Sequence, residues 1–191
     1  MDTLNLSNFL FMYLSDTDIR KAVLSWEISI ENFDEKRLQA ASYDLLLWNK
    51  FLITDSHSTQ FIDPVNKILP QMREVIVEDW KEFVLHPGVS ILGFSWENFW
   101  SNNYLIQLSG KSSLARIWLV VHNTAGLINP GHFLNIAFEL SNLNNVPIIL
   151  RPKMEIAQIT FSQITSQPEK TYDKVWRYHT NNWTGFVEKK I

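Results

Sequence analysis

Between residues 89 and 161 the chain repeats one pattern: a short apolar or β-branched run, then turn residues, then another run. The runs cover 89–94, 105–108, 117–121, 134–140, 146–150 and 156–161. Short runs at fairly even spacing favour an all-β sandwich or barrel over βαβ units. Leu85-His86-Pro87-Gly88 marks a turn, as Pro-Gly dipeptides do. Upstream, Ser15 stands three residues before Asp18 in a capping-box-like start, and Ile19, Ala22, Val23 and Trp26 follow at helical spacing. That predicts a helix over 16–25. Ile28-Ser29-Ile30 reads as a short strand, and 41–47 as a strand or strand entry. Asp63-Pro64 predicts a short helix running through Leu69 and stopped by Pro70, with Pro64 at the first helical position.

No internal repeat, linker or low-complexity segment breaks the 191 residues, which therefore read as one domain. Residues 1–13 form an N-terminal extension. Residues 163–191 form a polar, aromatic tail, either a frayed terminus or a flap over a ligand or a neighbour. With 46% hydrophobic residues the composition is that of an ordinary globular protein. The net charge of −3 argues against a general nucleic-acid binder, so any anion has to be met by locally placed cations. The first residues lack a basic segment and a long apolar run, so neither a signal peptide nor a membrane span is expected, and cytoplasm is the default. There is no cysteine, which excludes disulfides and fits a reducing compartment.

The stretch Gly110-Lys111-Ser112-Ser113-Leu114-Ala115-Arg116 gathers a glycine, two cations and two hydroxyls. A nucleotide P-loop is rejected, because Leu105 occupies the position of its first glycine and no strand–loop–helix context is expected. What remains is a backbone that can approach an anion, charge from Lys111 and Arg116, and donors from Ser112 and Ser113; a solvated turn is the alternative. The turn-rich loop 121–132 leads into a strand-like run carrying Glu139. Alternation puts Leu134, Ile136, Phe138 and Leu140 on one face, and Asn135, Ala137, Glu139 and Ser141 on the other. Glu139 therefore stands among small or polar neighbours, on a face that either admits a ligand or looks onto solvent. These pieces are expected to form one pocket for an anionic small molecule. The five histidines show no zinc-ligand spacing, and a metal site built from protein ligands is not expected. The Pro-Cys-x-x-Cys of zinc deaminases and the Gly-x-Ser-x-Gly elbow of serine hydrolases are absent.

Several segments in order resemble the dCTP deaminase family of the dUTPase-like superfamily. They are Gly110–Arg116, Val121-His122-Asn123-Thr124-Ala125, Ile128-Asn129-Pro130-Gly131, Phe138-Glu139-Leu140-Ser141-Asn142, Leu150-Arg151-Pro152 and Ile156-Ala157-Gln158. Leu14-Ser15-Asp16 with Ile19, Ala41-Ser42-Tyr43-Asp44-Leu45 and Leu85-His86-Pro87-Gly88 continue the likeness, which spans about 14–162. The resemblance implies a mainly β, distorted jelly-roll or β-barrel subunit with a few short helices. It also implies a homotrimer with active sites at subunit contacts, and a deoxynucleoside triphosphate substrate carrying Mg²⁺ on its phosphates. Deamination would proceed without zinc. By the same resemblance Glu139 is the general base and acid, Ser112 positions the water, Arg116 holds both, and the Ala125 backbone helps hold the water. Lys111, Ser113, Asn129, Tyr172, Arg177 and Asn181 fall on nucleotide-binding positions.

The chain also departs from the family pattern. Lys111 stands in place of arginine, which keeps charge but loses the bidentate fork. Leu127 replaces an arginine, His132 an aromatic, Lys153 a glycine, Asn135 a small residue, Asn181 a glutamine and Trp183 a glycine. Asn129 replaces an aspartate that helps activate the water cleaving the triphosphate in bifunctional relatives, and an amide cannot act as a base. The expected reaction is therefore dCTP to dUTP and ammonia. A catalytically altered nucleotide-binding homologue and a deaminase for a different deoxycytidine nucleotide are the alternatives; a dUTP diphosphatase is disfavoured.

Overall fold

A computed structural model describes residues 12–175 of the chain; Arg177, Asn181 and Trp183 lie outside the described residues. The elements in order are α1 (Asp16–Leu24), β1 (Ile28–Ile30), a 3₁₀ turn (Glu35–Arg37), β2 (Leu38–Gln39), β3 (Ser42–Leu46), β4 (Lys50–Thr54), β5 (Met72–Ile76), β6 (Phe83–Leu85), β7 (Ser90–Phe94), β8 (Phe99–Ser101), β9 (Tyr104–Gly110), α2 (Ser112–Ala115), β10 (Leu119–Val120), β11 (Leu127–Ile128), β12 (Ala137–Asn142), β13 (Ile148–Leu150), β14 (Glu155–Gln163) and α3 (Tyr172–Val175).

The architecture is the mainly β one expected. One five-stranded sheet runs β10-β12-β7-β4-β5 and the other β11-β9-β14-β3-β2, with the ribbons β1-β8 and β13-β6 beside them. The described strand pairs are antiparallel, and neither sheet closes on itself into a barrel. Tyr43 and Leu45 of β3, Phe51 of β4, Phe138 and Leu140 of β12 and Ile159 and Phe161 of β14 meet in one hydrophobic cluster and are fully buried. Each such side chain contributes about 1.5–3 kcal/mol on leaving water, so the two sheets are held mainly by this shared interior.

The first helix forms where its cap predicts. The Ser15 hydroxyl accepts the Asp18 N–H at 3.4 Å, and Ile19 and Ala22 are buried. The helix expected from Asp63 to Leu69 does not form. Asp63 accepts the N–H groups of Val65 and Asn66 at 3.0 Å each and the Asn66 amide at 2.7 Å, while Lys67 takes a φ of 58°. The carboxylate thus closes a tight turn, sealed by paired backbone bonds between Asp63 and Ile68, and the left-handed Lys67 ends any helical path. Lys153, also left-handed at φ 63°, is held by an ion pair with Asp79 at 3.0 Å and lies 4.9 Å from the Trp96 ring centroid.

Beneath the 3₁₀ turn lies a buried ion pair that the sequence did not suggest. Arg37 pairs with Glu97, which is 0% exposed and also accepts the Leu46 N–H at 3.1 Å. The Arg37 guanidinium sits 4.9 Å from the ring centroid of Tyr43, whose hydroxyl accepts the Asp34 N–H at 3.0 Å. Burial first pushes the Glu97 carboxyl up, and the opposing pull of Arg37 is the smaller effect. No described helix is long and apolar enough to cross a membrane.

Candidate active site

Strand β12 lies between β7 and β10, so its ladder fixes which way each side chain points. Phe138, Leu140 and Asn142 are buried, while Ala137, Glu139 and Ser141 are half-buried on the opposite face. The predicted alternation therefore holds from Ala137 onward. It breaks at Asn135, which is buried and gives its amide to the Ser95 carbonyl at 3.3 Å. Glu139 stands opposite Leu92 of β7, and its Oε2 accepts the Asn123 N–H at 3.1 Å.

Glu139 opens into a cavity of about 380 Å³, within the size range of small-molecule sites. Leu92, Leu108, Ile128 and Ile136 supply apolar walls, and Ala125, Asn129, His132 and Tyr172 also line it. The loop that carries Ala125 can lie against β9 because residue 126 is glycine. Its carbonyl accepts the Leu108 N–H at 2.7 Å, and a Cβ there would come within 2.8 Å of the Leu108 oxygen. Tyr172 reaches the cavity because its N–H donates to the Pro130 carbonyl at 2.7 Å, docking α3 on the Pro130–Gly131 turn. His132 then stands between Phe99 and Tyr172, with ring centroids 5.7 and 5.4 Å away, and its Nε2 lies 2.9 Å from the Leu134 carbonyl. The tilted rings follow the edge-to-face preference of aromatic pairs.

Of the predicted site residues, Glu139, Ala125, Asn129 and Tyr172 thus share one cavity. Lys111, Ser112, Ser113 and Arg116 are not among its lining residues. Ser112 and Ser113 belong to α2, and Lys111 and Arg116 cap it; this four-residue helix does follow strand β9, contrary to the expectation that no helix would. Ser112, Ser113 and Arg116 are exposed. The Lys111 ammonium instead meets Asp44 and Glu155. Burial lowers the pKa of that ammonium, but its hydrogen bonds to the two carboxylates outweigh this and leave it raised. The single pocket expected from the sequence is therefore two separate regions of the chain. Sequence reasoning missed the Asn123 N–H that orients Glu139, because a backbone donor carries no residue signature. It also missed the aromatic seat of His132, which joins residues far apart in the chain.

The part of the chain that builds this site has relatives. A protein-family profile described as dCTP deaminase-like matches residues 13–164. A protein of Tropheryma whipplei (strain Twist) named dCTP deaminase, dUMP-forming, is 41% identical over 162 residues, covering 84% of this chain and 83% of its own. A Dictyoglomus turgidum protein of the same name is 39% identical over 184 residues, covering 94% of this chain and 95% of its own. A Natronomonas pharaonis protein named dCTP deaminase is 40% identical over 166 residues, covering 84% and 85%. In the solved structure of 2'-deoxycytidine 5'-triphosphate deaminase from Agrobacterium tumefaciens, the match has a TM-score of 0.60 at 23% identity. It covers 81% of this chain and 49% of that one, a likeness of fold alone. Because the family profile spans residues 13–164, which carry Glu139, all of its cavity's lining but Tyr172, and α2, this chain belongs to the dCTP deaminase-like family.

Proposed function

We propose that the protein hydrolytically deaminates dCTP to dUTP and ammonia, with Glu139 as the group that moves protons. The observation carrying this reading is the Glu139 carboxylate at the wall of the 380 Å³ cavity, aimed by the Asn123 N–H and flanked by Ala125 and Asn129. A cytosine placed there has its C4 within reach of a water held between Glu139 and the Ala125 backbone. Glu139 takes a proton from that water, and the hydroxide adds to C4 while the ring N3 is protonated. The hydroxyl of the tetrahedral centre then loses the second proton, which Glu139 passes to the amino nitrogen, so that ammonia leaves and the C4 carbonyl of uracil remains. No redox partner enters the balance: dCTP and water give dUTP and ammonia. Mg²⁺ arrives on the triphosphate as part of the substrate. Proton transfer of this kind is worth about 10²–10⁴-fold in rate.

Ser112 and Arg116 complete the site from a neighbouring copy. Their exposure on α2 supports this, as does the apolar surface beside them: Ile117, Trp118, Leu143 and Val146 are 43%, 62%, 61% and 60% exposed. A homotrimer with sites at its contacts fits this arrangement.

A second reading, in which dUMP is the product, draws on the names of the Tropheryma and Dictyoglomus relatives. Against it stands Asn129 in the cavity, whose amide cannot take a proton from a second water. Incubation with dCTP and Mg²⁺, followed by separation of dUTP, dUMP and pyrophosphate, decides between them. dUTP alone supports the first reading, and dUMP with pyrophosphate the second. Nucleotide binding without turnover overturns both.

A further inference from the structure

The sequence places Lys111 among nucleotide-binding residues, yet its ammonium is already engaged inside the subunit. Nζ donates to Asp44 Oδ2 at 2.6 Å and to Glu155 Oε2 at 2.5 Å. Asp44, on β3, is 2% exposed; its Oδ2 also accepts the Gln39 amide at 3.0 Å, and its Oδ1 is buried without a partner among the described residues. Turning Lys111 toward a phosphate would strip the only cation hydrogen-bonded to the Asp44 carboxylate among the described residues and leave that buried charge uncompensated. A bare buried charge costs far more than one partly exposed ion pair returns. One ammonium between two carboxylates also leaves the trio net negative, a poor seat for a triphosphate.

The position of Lys111 in the chain gives that pairing a consequence. It is the N-cap of α2, with φ −82°, ψ 137° and no side-chain cap bond, and its carbonyl accepts the N–H groups of Leu114 and Ala115 at 3.0 and 2.9 Å. A helix of one turn is unstable by itself, and α2 has no fully buried residue; of its four residues Leu114 alone packs, half-buried, against the core. Lys111 therefore grips the helix through its backbone and one sheet, at β3 and β14, through its side chain. Ser112 follows it directly, and Arg116 is the C-cap of the same turn. We propose that Lys111 is a positioning residue, clamping α2 to β3 and β14 through Asp44 and Glu155 and so setting where Ser112 and Arg116 point, rather than a ligand of the nucleotide phosphates. This rests on the reading that Ser112 and Arg116 serve deamination.

The test compares the full-length wild type with Lys111→Met, Lys111→Arg, Asp44→Asn and the Lys111→Met/Asp44→Asn double variant. The measurements are kcat and KM for dCTP with Mg²⁺, alongside melting temperature. A displaced catalytic group can cost about 100-fold in rate, so Lys111→Met should lose about that in kcat with little change in KM. Asp44→Asn should also lower kcat although it lies outside the Glu139 cavity. The double variant should be no worse than Lys111→Met, since both substitutions remove one contact. Lys111→Arg, which can still reach both carboxylates, should keep most of the rate and remains informative if the methionine variant does not fold. A rise in KM at unchanged kcat for Lys111→Met, or Asp44→Asn with wild-type kcat, overturns the clamp. Should the wild type not turn over dCTP at all, the deaminase reading fails instead. The clamp is then judged by melting temperatures, where shifts smaller in the double variant than the sum of the singles support it and additive shifts overturn it.

Discussion

Glu139 and Ser112 are held under opposite conditions. Glu139 rides on a strand paired on both sides, and one backbone N–H fixes its carboxylate. Ser112 and Arg116 ride on a single exposed helical turn, tied to one sheet by the Lys111 side chain and to the core by half-buried Leu114. The contrast teaches how a fold can divide a reaction centre. A ladder fixes the direction of a side chain whatever lies in front of it, whereas one turn of helix depends on what packs against it. In the proposed reaction the rigid half carries the group that would move protons, and the other half would rest on the Lys111 clamp and on what a neighbouring copy packs against it.

The largest expected effect tests that division directly. Glu139→Gln and Ser112→Ala, each alone, should lower dCTP deamination steeply, by about 10²–10⁴-fold for the glutamine variant, while nucleotide binding persists. Co-expressed in one cell, the two should regain activity in mixed assemblies, because the serine variant still supplies Glu139 and the glutamine variant still supplies Ser112. A co-expressed pair as inactive as the single variants would place both groups in one subunit's site and break the comparison.

A second effect should fall on the rigid side only. Glu97→Ala leaves Arg37 buried without its partner under β3, and removing one member of a buried pair costs about 3–5 kcal/mol. Urea unfolding should show that loss. Trp118→Glu sharpens the other side. Trp118 is 62% exposed at a left-handed φ of 63°, next to Leu143, whose N–H donates to its carbonyl at 3.0 Å. A carboxylate there should leave the subunit's own stability nearly unchanged but weaken association by about 2 kcal/mol, roughly 30-fold, as loss of an interface tryptophan does. Sedimentation and the dilution dependence of activity would report it; an unchanged assembly would mean that this face is not the contact.

The same contrast sets what could be read from the sequence. The strands announced themselves because their apolar runs are short and turn-bounded, and α1 because Ser15 and Asp18 form a local cap. The alternation along β12 is enough by itself to place Glu139 on the more open face. The local rules failed where a distant contact decides. Asp63 looked like a helix cap but closes a turn instead, and α2 has no apolar period to betray it, since Lys111 reaches Asp44 across 67 positions. The Arg37–Glu97 pair spans 60 positions and was equally silent.

The smallest effect turns on two neighbours of β3 that serve the two regimes: Tyr43 in the core and Asp44 under Lys111. Burial pushes the Tyr43 hydroxyl up to about 12, with the Asp34 N–H pulling weakly the other way. An unfolded tyrosine ionises near pH 10, so the folded chain holds more protons than the unfolded one between about pH 10 and 12. The stability tied to Tyr43 is therefore fully present below pH 10 and is lost as pH rises through that window, about 2–3 kcal/mol in all. Tyr43→Phe removes this titration but also the hydrogen bond from Asp34, so at pH 8 it should be about 1 kcal/mol less stable than wild type. By pH 11.5 the order should reverse, because only the wild type also loses the Tyr43 contribution. Lys111, with its raised pKa, keeps its clamp below its unfolded value near 10.4 and loses it as pH rises through the folded one, but that loss belongs to α2 and should be the same in both proteins. Urea unfolding at pH 8, 10 and 11.5 separates the two. Parallel curves for wild type and Tyr43→Phe would show that the core does not restrain the phenol, and that the alkaline loss comes from groups common to both, Lys111 and Tyr104 among them.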